Sequence, residues 1–344
     1  MSMQNSLFSG CIQKRNLAFD YVKAFAIWLV VYGHCQQHLL MQNRLDNVVY
    51  QFIYTFHMPL FMIISGYFSE SSLKLDVLKF ILKKFRTLIV PVVTYSLFLT
   101  LFYALYGSHG FVSIGDTFLL FVGRCYAQLW FLKALFICNL LLYICKFSGF
   151  RSSILCVTIL ISQFIVDFHM SVMYPIFIIG FYLRKYNIVN ELCQNTKMIY
   201  GGILVFLILS IPWCLIRDFM DYGGRFFLYK ELLNIYRIVM GFSISFSLLL
   251  LVSKWFQEIN VNSCLFGRMI SYIGACTLEI YILQSFILEV LLARFIKMPA
   301  DFSLLTSSLI FVPISFLLIF ICIAVGKMID SNQWLSFLCF GKKL

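Results

Sequence analysis

The chain has 344 residues, 61% of them hydrophobic and only 12% charged, and its 27 Lys and Arg against 15 Asp and Glu give a net charge of +12. Soluble domains are roughly half apolar and a quarter charged, so this composition excludes a soluble globular enzyme and points to a polytopic membrane protein. The positive balance follows from cytoplasmic loops and anionic lipid, with no nucleic acid partner needed.

The first twenty residues are polar, include Lys14 and Arg15, and lead into an apolar run without a small-residue cleavage site, so the first helix is expected to be retained. Apolar runs then predict ten spans, at about 21–40, 51–68, 88–106, 128–146, 152–168, 171–184, 198–216, 232–252, 269–292 and 303–325, the sixth being short. With the N-terminus inside, seventeen Lys and Arg fall on the inner side and seven outside, which predicts that both termini are cytoplasmic. No repeat or linker divides the chain, so residues 1–344 are expected to form one all-helical membrane domain. The twelve cysteines contain no CxxC pair and mostly lie in spans, as small core residues do.

The first span carries Asp20, Lys23 and His34. Ionisable groups in hydrocarbon face a bundle interior or a watery cavity, because a charge at the bilayer centre costs about 3 kcal/mol even on insertion scales. Eleven residues at about 100° each return to nearly the same helix face, so Lys23 and His34 share a stripe some 16 Å long, with Asp20 at its start. The second span runs back inward and should bring His57 to the depth of His34. His34 and His38 also form the i,i+4 pair seen in zinc sites, but no third ligand is evident and no metal is expected.

Pro59 can kink the second span beside His57, and Ser65-Gly66 forms a small-residue patch that suits either close helix packing or a site. The basic stretch 69–87 precedes span three, and its Lys83, Lys84 and Arg86 suit membrane anchoring or phosphate binding. Lys133 in span four needs a partner. The outer segment 217–231 mixes signs through Arg217, Asp218, Asp221, Arg225, Lys230 and Glu231, which suits polar ligands. Glu279 lies within span nine, followed by Tyr281 and Gln284, and should pair with Arg237 or Lys23.

Taken together, Lys23-x10-His34, the Phe56–Phe68 run with His57-Met58-Pro59 and Ser65-Gly66, Lys83-Lys84-Phe85-Arg86 leading to Pro91, Leu129-Trp130-Phe131-Leu132, and Ile273-Gly274 leading to Glu279-Ile280-Tyr281 resemble the bacterial acyltransferase-3 family in order and spacing. That resemblance implies an inner-membrane, multi-pass O-acyltransferase moving an acyl group, expected to be acetyl, from cytoplasmic acyl-CoA to a sugar hydroxyl of an envelope polysaccharide or lipid-linked glycan. It implies catalytic roles for His34, His57, Tyr281 and Glu279. Donor binding would fall to Lys23, Lys83, Lys84, Arg86 and Ser65, and acceptor binding to Trp130 and Gln284. The partners would then be acetyl-CoA or another acyl-CoA, the glycan acceptor and membrane lipids. Two positions depart from the family pattern: Lys23 stands where many members have arginine, and Gln284 where many have histidine, which weakens position 284 as a base. A transporter or flippase for a lipid-linked glycan or small anion accounts equally well for intramembrane charges and a kinked helix.

Overall fold

The computed structural model describes residues 16–41, 47–106, 113–165, 167–215, 227–258, 265–299 and 303–343. Lys14, Arg15, Arg44 and the expected polar residues Arg217, Asp218, Asp221 and Arg225 lie outside them. Among the described residues the chain is helical, and strand pairing is limited to one parallel bridge between Leu40 and Met298.

The helix Leu17–His38 runs through the middle of the bundle, packed against Leu265–Ala275, Leu304–Asp330, Phe227–Glu258 and His57–Tyr67. Because neighbouring helices rather than lipid surround it, it can carry polar side chains that find partners across the interface. The Trp28 indole N–H donates to Ser315 Oγ and the Tyr32 hydroxyl to Ser308 Oγ, each at 3.0 Å. Gln36 Nε2 donates in turn to the Tyr32 hydroxyl at 3.1 Å, and Asn47 Nδ2 donates to Gln36 Oε1 at 3.1 Å. This ladder fixes the rotation of the helix, and with it the face that His34 presents.

Among the described residues, six helices are long and apolar enough to cross a membrane: Val48–Tyr67, Val77–Tyr106, Trp130–Phe147, Thr196–Cys214, Glu231–Gln257 and Leu305–Asp330. A seventh forms if Phe266–Ala275 and Thr277–Phe295, bent by 67°, count as one span. The other three of the ten expected segments are helical but differ in kind. Leu17–His38 has the length but lies buried and polar in the bundle, while Ser152–Phe164 has 13 residues and Met170–Lys185 has 16. The outer helices expose Phe98, Leu101, Leu204, Ile208, Leu309 and Leu317, the apolar surface that lipid requires.

Two features position the second span. Pro59 has no N–H to give the Thr55 carbonyl, and the helix is interrupted at Thr55–Phe56 before restarting at His57. Further along, Gly66 meets the Phe177 carbonyl so closely that a Cβ would lie 2.0 Å from its oxygen, and Gly180 returns the contact to the Ile63 carbonyl at 2.2 Å. Close packing therefore accounts for Gly66. The described cysteines are all unpaired, with Cys35, Cys138, Cys145, Cys193 and Cys322 buried.

Candidate active site

At the inner end of the bundle, by the expected topology, Lys23 Nζ lies 2.6 Å from Asp20 Oδ1 and 5.9 Å from the centroid of the Phe68 ring. Asp20 is buried, and its backbone carbonyl is so close to Gly274 that any side chain there would collide with it. Two residues past Gly274 the bent helix breaks at Cys276, and Glu279 falls in the first turn of the restarted helix, where the helix dipole favours a carboxylate. Its partner differs from expectation: neither Arg237 nor Lys23 pairs with it, but Lys342 Nζ does, at 2.9 Å, while also lying 2.5 Å from Asp330 Oδ2. Burial pulls the Lys342 ammonium down, yet the two carboxylates outweigh that and hold its pKa above the ordinary lysine value. The reason sequence spacing pointed elsewhere is that Gly341, in a left-handed conformation at φ 62°, turns the tail back against the Arg86–Thr87 backbone and delivers Lys342 from 63 residues away. Lys83 is exposed, Lys84 half-buried with Nζ 5.9 Å from the Phe80 ring centroid, and Arg86 half-buried with its Nε unbonded among the described residues.

The opposite half of the first helix holds a different cluster. His34 and His38 stack with ring centroids 5.6 Å apart and planes within 5°. Glu289 lies against both: its Oε1 is 3.4 Å from His34 Nδ1 and 3.8 Å from His38 Nε2. Glu289 stands one turn beyond Ser285 and lies within electrostatic reach of Tyr54, Tyr95 and Tyr281. A π-helical run over Ser285–Leu292 presents it there, a form of helix that concentrates at functional sites. Glu289 was not among the expected site residues, although an acid in the apolar run Ser285–Leu292 is the same signal that singled out Lys23. It also supplies the third group that the His34–His38 pair was expected to lack, with the three donor atoms all within 4.8 Å of one another.

His57 is buried, close enough to His34 for their charges to interact, and edge-on to Tyr54 at 4.5 Å between ring centroids. Its Nδ1 faces the Ile53 carbonyl at 2.7 Å. A carbonyl can only accept, so that nitrogen carries the proton and the neutral ring offers a lone pair at Nε2. The Tyr281 ring stands edge-on to Phe131, at the start of the Trp130–Phe147 helix, with 6.0 Å between centroids. His34 and Tyr281 are thus brought near Glu289, with His57 close to His34. Glu279 is not: ten residues of the same bent helix, about 15 Å of rise, separate it from Glu289.

Trp130 lines a pocket of about 230 Å³ with Tyr126, Ala127, Phe168 and His169. Its ring stands edge-on to His169 at 5.4 Å between centroids, and Leu129, Phe168 and His169 all adopt positive φ around it. Lys133 finds its partners here, donating to the Cys125 carbonyl at 2.8 Å and to the Tyr126 carbonyl, the last turn of the helix Ile114–Ala127. Gln284 is buried but turns its amide to its own helix, donating to Ser285 Oγ at 3.0 Å, and does not line the Trp130 pocket. Ser65 is half-buried beside the Gly66 contact.

A central helix with a half-buried imidazole cluster at one half and a basic mouth at the other, wrapped in helices that expose apolar side chains, is the architecture of a multi-pass membrane protein. The chain belongs to the acyltransferase-3 family, whose acyltransferase domain matches residues 16–327. Over short stretches it is similar to two curated proteins named nodulation protein NolL. The one from Mesorhizobium japonicum is 44% identical over 62 residues, 17% of each chain, and the one from Sinorhizobium fredii 42% identical over 69 residues, 19% of each. The match thus spans less than a fifth of those relatives. No solved structure matches.

Proposed function

We propose that the protein is an O-acetyltransferase of the cytoplasmic membrane that moves an acetyl group from cytoplasmic acetyl-CoA to a hydroxyl of an envelope polysaccharide or lipid-linked glycan. The observation that carries this reading is the half-buried His34 imidazole on the same helix as Lys23, some 16 Å further along by helix rise, a span that an extended thioester can bridge from the basic mouth. In the reaction His34 takes the proton of the attacking hydroxyl as the oxygen–carbon bond forms. The carbon–sulfur bond then breaks, and His34 returns that proton to the departing thiolate of coenzyme A. Tyr281 can donate to the carbonyl oxygen as it gains charge. Neutral His57, whose one N–H is committed to Ile53, suits a hydrogen-bond acceptor for the sugar better than an oxyanion donor.

Lys83, Lys84 and Arg86 are the groups best placed for the donor phosphates, since Lys23 is already held by Asp20 at 2.6 Å. The aromatic pocket at Trp130 suits the apolar face of a sugar ring. Glu279, clasped by Lys342, serves the shape of the inner mouth in this reading rather than the chemistry. Family membership favours transfer over transport, although the 67° break at Cys276 is a feature that transporters share.

The test is the acyl-ester content of the surface glycan in cells carrying wild-type protein or His34→Ala at matched expression. Loss of a general base lowers the rate by about 10²–10⁴, so ester should fall to the level of cells without the protein. Near-wild-type ester in His34→Ala would overturn the assignment, and unchanged ester with altered glycan export would favour the transporter.

A further inference from the structure

We infer that Glu289 is a positioning residue that acts through His34, holding its imidazole in the tautomer and orientation that a base requires. This rests on the reading of His34 as the base. The buried Nδ1 of His34 has no hydrogen-bond partner among the described residues, yet it lies 3.4 Å from Glu289 Oε1. A buried polar atom left unbonded is costly, and a small rotation of either side chain brings the carboxylate into line to satisfy it. With the proton on Nδ1 and directed to Glu289, the lone pair sits on Nε2, the nitrogen free to receive the hydroxyl proton. A carboxylate behind an imidazole has this effect in hydrolases of unrelated fold.

The surroundings fit that role. The π-helical run Ser285–Leu292 aims the carboxylate at the first helix. His38, stacked on His34 and 3.8 Å from the same oxygen, limits the rotation of both rings. The side chains of His34 and Glu289 are 20% and 24% exposed, so the pair is sheltered but reachable by substrate. A catalytic or structural metal ion held by His34, His38 and Glu289 is the competing use of the same atoms, and it predicts different outcomes.

The experiment uses full-length protein in detergent or nanodiscs, with hydrolysis of acetyl-CoA or transfer to isolated envelope glycan as the assay. Glu289→Gln should lower kcat about 10–100-fold, the usual loss when a group that orients a histidine is removed, and leave the KM for acetyl-CoA within about twofold. Glu289→Asp should restore part of kcat, because it keeps the charge on a shorter arm. In a His34→Ala background, Glu289→Gln should cause no further loss, since a group that works through His34 has nothing left to orient. Should Glu289→Gln fail to fold, Glu289→Asp, which keeps the charge but draws it back from Nδ1, should still lower kcat at unchanged KM. Full activity of a folded Glu289→Gln, an added loss in the His34→Ala background, or stoichiometric zinc that disappears with Glu289→Gln would each overturn the inference. If His34→Ala itself remains active, the base assignment falls first and the two failures are distinguishable.

Discussion

At the scale of single residues, the same side chain can be read as a ligand contact or as half of an ion pair, and Lys23 shows how to separate them. Its bond to Asp20 at 2.6 Å leaves the buried carboxylate dependent on it. Removing one partner of a buried pair is destabilising by about 3–5 kcal/mol, because the other charge is stranded. Lys23→Ala should therefore lower the thermal stability of the protein in detergent, and adding Asp20→Asn should restore most of it. A KM for acetyl-CoA that stays raised in the stabilised double variant would assign Lys23 to the donor as well. Lys23→Arg should keep both stability and activity, since arginine preserves the pair.

At the scale of helices, packing is tightest where backbones touch. Gly66→Ala or Gly180→Ala must drive a methyl group into a carbonyl of the facing helix, at 2.0 and 2.2 Å respectively. Overpacking of this kind costs about 1–3 kcal/mol, and neither backbone can move without the other. Both variants should give less folded protein on size-exclusion chromatography, whereas Gly123→Ala and Gly201→Ala, which meet open space, should match wild type. Much of this framework was legible in the sequence. Hydropathy located the helices, and matched depth in antiparallel spans placed His57 near His34. What was not legible has identifiable causes. The helix Leu17–His38 sets its polar side chains against neighbouring helices, which a local window does not show. Glu289 carried the signal of an acid in an apolar run, but its contact with His34 and His38 depends on a π-helical turn that no regular 3.6-residue stripe predicts, and Lys342 reaches Glu279 from another element altogether.

At the scale of the whole molecule, the two halves of the proposed site lie towards opposite ends of the first helix. Lys23, Lys83, Lys84 and Arg86 lie towards one membrane face by the expected topology, and His34, His38 and the Trp130 pocket towards the other. Donor and acceptor should then approach from opposite sides. In sealed inverted vesicles, added acetyl-CoA should acylate glycan enclosed in the lumen, while in right-side-out vesicles external acetyl-CoA should be inert. Transfer that needs both substrates on the cytoplasmic face would refute the through-membrane arrangement and leave the acyltransferase class intact.

The clasp of Lys342 on Glu279 and Asp330 has a practical bearing on how the protein is handled. Ser336 Oγ also donates to Asp330 Oδ1 at 2.6 Å, so the final helix Gln333–Phe340 and the turn after it are stitched into the bundle. A premature stop at Gln333 would spare the segments expected to cross the membrane, yet strip the ammonium from two carboxylates and uncover the buried Phe340 contact.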